Sequence, residues 1–226
     1  MAIKDKAVEL RKLAKTRKAA RWPGYFQVEE FHDGKHECDF VSPYTKSAHN
    51  YDADLFLMLQ DWSSEKELSG PEIPDQIKLG YTPSFPTNKN LIRLLADVFE
   101  LELADTYATN LFPFVKPATV SKTLPAKDLI KAAIEFALPQ VRIVKPKSVI
   151  CFGLPTFQAL RVAVGLKKSE SAGEAMETPF CSEDAMFYYQ AHPGGLGIAN
   201  RGGFIQVKKD WENLRSRVGA IRGRIK

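Results

Sequence analysis

Cysteine is scarce in this chain. Cys38, Cys151 and Cys181 are the only three in 226 residues. Their odd number and wide spacing argue against a disulfide framework and against a Cys-x-x-Cys metal site, and a reducing cytoplasm is the compartment they suggest. Histidine is also sparse, four in all. His32, His36 and Cys38 are close together, but no fourth ligand accompanies them, so ordinary loop residues are expected there and no metal. No apolar run approaches the roughly 20 residues that span a bilayer. No charged start leads into an apolar stretch and a small-residue cleavage site, so neither a membrane nor export is expected. Internal repeats and low-complexity segments are absent as well. What is present is a 44% hydrophobic fraction, enough to fill a core for one large domain or two small ones.

The net charge of +5 is unevenly spread. Residues 1–21 carry eight Lys/Arg against Asp5 and Glu9, and residues 201–226 carry eight against Asp210 and Glu212, so each end has a net of +6 around an acidic centre. Such ends suit a polyanion held at a rim, and they equally suit soluble helical faces.

Hydrophobic periodicity gives an alternating order of elements. Residues 3–20 are spaced as a helix with Ile3, Ala7, Leu10, Leu13 and Ala14 on one side. Residues 21–50 are irregular. The short apolar run 54–59, ending at Gln60-Asp61, predicts a strand buried on both faces, and the proline-rich stretch 62–86 predicts a long loop. Further strands are expected at 105–112, 147–152 and 185–191, and helices at 88–101, 127–143, 156–164 and 205–217. Residues 170–177 read as a solvated loop. Strand and helix in alternation imply a parallel sheet with helices on both faces. The expected fold is a three-layer α/β/α sandwich around four mainly parallel strands. One domain spans 1–226, with a basic helix and irregular extension in 1–50 and the core in 51–217.

In an open α/β sheet, ligand chemistry gathers at the carboxyl ends of the strands. Three polar motifs fall there: Leu59-Gln60-Asp61-Trp62-Ser63, Ala108-Thr109-Asn110-Leu111-Phe112 and His192-Pro193-Gly194-Gly195-Leu196, the last followed by Arg201-Gly202. In their order and their positions at strand ends these resemble the uracil-DNA glycosylase superfamily over residues 50–217, and 143–160 is similar to that family's third strand and helix. The resemblance implies hydrolysis of the bond between deoxyribose and a damaged base that has been flipped out of DNA, with DNA as partner, no cofactor, and a monomer as the expected state. In this reading Asp61 orients a water and stabilises a cationic sugar. His192, as neutral imidazole, donates to the anion forming on the base. Asn110 reads the base edge with one donor and one acceptor. Phe85 stacks on the base, Gln60, Trp62 and Ser63 line its pocket, and Gly194, Leu196 and Arg201 contact DNA, with Leu196 as the wedge.

The sequence departs from the family at several points. Leu59 and Trp62 replace a glycine and a proline of the first motif. Gly194 replaces a serine whose phosphate contact its backbone N–H can supply. Ser63 stands where a tyrosine excludes the thymine methyl, so a broader base pocket is expected unless Trp62 fills the space. Each residue also has a plainer reading: Asp61 as a turn cap, Asn110 as a buried amide bonded to backbone, Phe85 as packing. Two other functions remain open, a noncatalytic nucleic-acid-binding protein on the same fold and a hydrolase of free nucleosides.

Overall fold

A computed structural model describes residues 2–219. Five strands form a single sheet in the order β2-β1-β3-β5-β4: β1 (Leu55–Asp61), β2 (Tyr107–Phe112), β3 (Ser148–Phe152), β4 (Phe180–Ser182) and β5 (Ala185–Gln190). All neighbours are parallel except β4, which runs antiparallel to β5. The fifth strand corrects the four-stranded expectation. Three residues are too few to display a two-residue alternation, and the pairing of β4 is enforced by a tight turn in which Glu183 and Asp184 both take positive φ.

The sheet divides two cores, because side chains alternate in direction along each strand. Phe56, Met58, Tyr107, Val149, Cys151, Phe187 and Tyr189 face one side. They pack beneath α1 (Ile3–Ala19), α5 (Ala126–Ala132), α6 (Leu138–Val144), α7 (Leu154–Ala163) and α8 (Ala172–Glu177). Leu55, Leu57, Leu59, Ala108, Ile150 and Tyr188 face the other. There α4 (Pro86–Leu94) and α10 (Phe204–Val218) cover them, with Trp211 stacked on Phe152 at 6.0 Å between centroids. The chain is thus an α/β protein with helices on both faces of a mostly parallel sheet. Among the described residues no helix is long and apolar enough to cross a membrane.

The helices differ in detail from their expected bounds. α4 begins at Pro86, a residue suited to a first turn. It runs on through a wide π turn, Leu95–Phe99, and stops where Glu100 takes a left-handed conformation. α5 and α6 are joined by a similar wide turn, Ala133–Ala137, just before Pro139, which cannot donate to the helical ladder. Two short helices, α2 (Glu65–Leu68) and α3 (Pro74–Leu79), occupy what reads as loop in 62–86. Residues 172–177 form α8, not a loop, and Ser171 Oγ caps it by accepting from Glu174 N–H. α9 (Gly195–Asn200) follows the His192 motif.

Residues 2–50 are built into the body. Ala7, Leu10 and Ala14 of α1 are buried, whereas Ile3 is exposed. Trp22 packs on Phe112, Phe114 and Phe136, and Phe26 forms a bridge to Val115. Arg17 is fully buried, donating to both carboxylate oxygens of Glu37 at 2.7 and 2.6 Å and to the Phe40 carbonyl at 3.1 Å. Five of the eight basic side chains in 1–21 are ion-paired within the chain: Lys6, Lys12, Arg17, Lys18 and Arg21. Of these, Lys6 and Arg17 are buried and tie the helix to the body. The basic residues Arg222, Arg224 and Lys226 lie outside the described residues.

Removing one partner of a buried ion pair leaves the other charge uncompensated. Glu37→Ala is accordingly expected to destabilise the protein by about 3–5 kcal/mol. Chemical denaturation of parent and variant checks this, and a loss under about 1 kcal/mol would mean that the pair behaves as a surface contact.

Candidate active site

The strand order reverses around β1, which sends its chain first to β2 on one side and then, through β2, to β3 on the other. At the carboxyl ends of these strands a cleft of about 510 Å³ opens. Its lining includes Asp61 from β1, Asn110 from β2 and His192 from the loop after β5. Alternation explains the first two. Leu59 pairs with Asn110 in the parallel register, and Asp61, two residues further along β1, points to the same face.

Asp61 is held on both oxygens. Its Oδ1 accepts from Gln60 Nε2 at 2.9 Å, and its Oδ2 meets Lys116 Nζ at 2.7 Å. The lysine side chain is only 2% exposed and that of Asp61 13%. Lys116 also donates to the Val120 carbonyl, which ties the ion pair to the rim, because Val120 and Ser121 line the cleft. A carboxylate has about four lone-pair sites, so Asp61 retains capacity to accept from a water.

His192 is half-buried. Gly194 N–H donates to its Nδ1 at 3.0 Å, so the neutral ring carries its proton on Nε2 and offers a donor to the cleft. Burial lowers the imidazole pKa below 6.5, the nearby Lys116 charge pushes the same way, and Asp61 opposes them. Protonation would also set an Nδ1–H against the Gly194 N–H. A Cβ on Gly194 would lie 2.9 Å from both His192 Nδ1 and Thr87 Oγ1, so this close approach requires glycine. The loop is fixed to α4 where Asn90 Nδ2 donates to the Pro193 carbonyl at 2.8 Å.

Asn110 is 1% exposed. Ser42 Oγ–H donates to its Oδ1 at 2.6 Å, while its Nδ2 has no partner. Aromatic walls come from Tyr44 and Tyr81, whose rings lie 5.4 Å apart, and from Trp62 and Phe85. Tyr44 donates to Asn88 Oδ1 at 2.9 Å, and burial pushes its phenol pKa well up. Trp62 is anchored by Nε1–H donating to the Gly80 carbonyl at 2.7 Å. Gly80 takes φ +80, and a Cβ there would strike the Pro43 carbonyl at 1.8 Å. Phe85 precedes α4 at the mouth and is 44% exposed. Leu196 in α9 stands out at 76% exposure on the same rim.

The structure brings Asp61, Asn110, His192, Trp62, Phe85, Gly194 and Leu196 into one cleft and leaves three expected residues out of its lining. Gln60 points to the opposite face and touches the site only through Asp61. Ser63 is 1% exposed and donates to Glu67 Oε2 at 3.1 Å, so Trp62 forms the wall that Ser63 was expected to leave open. Arg201 is engaged bidentately by the buried Asp210 at 2.6 and 2.9 Å, joining α9 to α10. Ser42, Tyr44, Tyr81 and Lys116 had no sequence signal beyond residue type. They arrive from segments whose fold periodicity does not encode.

Among the described residues no three His, Cys, Asp or Glu side chains are grouped to hold a metal. A second cavity of about 430 Å³, between α5 and α7, is lined by Leu124, Leu129 and Leu154 among others and carries no carboxylate or imidazole. No family model and no curated protein matches this chain. The α/β class and the site therefore rest on geometry.

His192 is expected to titrate below 6.5 when its ring resonances are followed by NMR. The unfolded chain protonates at the ordinary value and the folded chain at a lower one. The stability that this group contributes is thus complete above pH 6.5 and is lost as pH falls towards the folded-state value. Titration at or above 6.5 would remove the neutral-donor assignment.

Proposed function

We propose that the protein is a DNA-repair glycosylase of the uracil-DNA glycosylase type, hydrolysing the bond between deoxyribose and uracil or a related damaged base flipped out of DNA. The carrying observation is the convergence of Asp61, Asn110 and His192 from three strand ends on one aromatic-walled cleft. The exposed Leu196 at the mouth suits a wedge that occupies the space of an extruded base.

In this reading the C1′–N bond breaks with its electron pair going to the base. His192 Nε2–H donates to the oxygen on which that negative charge collects. Asn110 Nδ2 donates to the base edge. Asp61 orients the water whose oxygen bonds C1′; one water proton is released and the departing base takes one up. Lys116 and Gln60 fix the carboxylate, and Phe85 or Tyr81 supplies a face for stacking.

A second reading, a nucleic-acid-binding protein that does not cleave, is favoured by one observation. Lys116 offsets the Asp61 charge that would stabilise a cationic sugar. Incubation with duplexes carrying uracil, hypoxanthine, xanthine or mismatched thymine separates the two readings by the appearance of abasic sites. Asp61→Asn and His192→Ala are each expected to slow the single-turnover rate by on the order of a hundred- to a thousand-fold with damaged-DNA affinity retained. Cleavage at the parent rate by both variants would overturn the site assignment.

With Ser63 turned towards Glu67, the base wall falls to Trp62. A methyl group is attractive to an apolar pocket by about 0.8 kcal/mol, so only bulk can reject it. Trp62→Ala is expected to raise activity on 5-methyl- and 5-hydroxymethyl-uracil relative to uracil by about tenfold or more. An unchanged ratio would mean that Trp62 is not the gate.

A further inference from the structure

Asn110 is a symmetric-looking amide with opposite chemistry at its two ends, so its use depends on what fixes its orientation. The fixing group lies in the N-terminal segment. Ser42 is fully buried, its Oγ accepts from Tyr44 N–H at 3.3 Å, and its hydroxyl proton goes to Asn110 Oδ1 at 2.6 Å. The segment is itself pinned to β2, since Thr45 Oγ–H donates to the Ala108 carbonyl and Ala108 N–H to the Ala48 carbonyl. A backbone N–H can only donate, and this sets the direction of the chain of bonds. Were the amide turned over, Nδ2 and Tyr44 N–H would both donate into Oγ, and the Ser42 proton would be left buried without an acceptor.

We infer that Ser42 is the positioning residue that orients Asn110 for base choice: by engaging Oδ1 it leaves Asn110 Nδ2 as a free donor in the cleft, beside His192 Nε2–H, and so favours a ring carbonyl over a ring amino group at that point. The inference rests on the proposed base-binding role of the cleft and deepens it by naming the residue that holds the Asn110 amide in its reading orientation. Nδ2 is buried and without a partner in the cleft lining, as a reading group must be before its ligand arrives. A ring amino group would meet it donor to donor. Thr82 Oγ1 is the other buried, unpartnered polar atom in this lining. Its hydroxyl can donate or accept and therefore does not discriminate, whereas Asn110 Nδ2 can only donate.

Free uracil and free cytosine titrated into the full-length protein test this, with the Asn110 side-chain amide followed by NMR. The parent is expected to prefer uracil, with the Asn110 amide signal moving on binding. Ser42→Ala should lose about ten- to a hundredfold of that preference as the amide becomes free to turn, while its melting temperature reports whether the fold is kept. Ser42→Thr, which retains the hydroxyl, should restore it. An unaltered preference in folded Ser42→Ala, or no response of Asn110 to either base in the parent, would overturn the inference. Abasic-site formation is scored separately, so a protein that prefers uracil and makes no abasic sites would sink the glycosylase reading and leave this one standing.

Discussion

The two-residue alternation of a strand covered on both faces is the constraint on which this structure depends. It sends Leu55, Leu57 and Leu59 into the core beneath α4 and α10, and it delivers Asp61 to the same face where that core ends and the cleft begins. The parallel register then sets Asn110 beside Leu59. A slip of one residue would bury Asp61 in the opposite core and turn Gln60 to the cleft. Core packing of many apolar side chains thus holds the register that the polar residues need.

Key polar groups of the cleft are fixed within the chain, and two others are buried without partners. Asp61 is fixed by Lys116 and Gln60, His192 by Gly194 N–H, Tyr44 by Asn88, and Trp62 by Gly80. Asn110 Nδ2 and Thr82 Oγ1 are buried without partners. Because an unsatisfied buried polar group costs stability, two such groups in one cleft are an arrangement suited to a polar ligand that completes them. The surroundings also favour a neutral imidazole, since burial, aided by the Lys116 cation, outweighs the opposing Asp61 charge.

Several buried or half-buried charges serve architecture. The basic N-terminal helix is secured by Arg17 in the Glu37 carboxylate and by Lys6 on Asp52 and the Val144 carbonyl. Arg201, which follows the His192 loop, grips Asp210. These pairs carry residues 2–50 and α9 to defined places, from which Ser42, Tyr44 and Leu196 reach the cleft.

The sequence by itself determined the α/β class, the four longer strands to within two residues at each end, and the placement of Asp61, Asn110 and His192 at strand ends. All of these follow from hydrophobic periodicity and local chain chemistry, which are written in consecutive residues. Tertiary structure decided the rest. The three-residue β4 exists only because β5 is there to pair with it, and the helices α2, α3 and α8 are too short for a periodic signal. Whether Ser63 or Trp62 faces the cleft is settled by the turn after β1 and by Glu67, which no spacing rule contains. Lys116 and Ser42 lie 55 and 19 residues from Asp61, and only the packing of the segments between brings a buried lysine to a carboxylate and a serine to an amide.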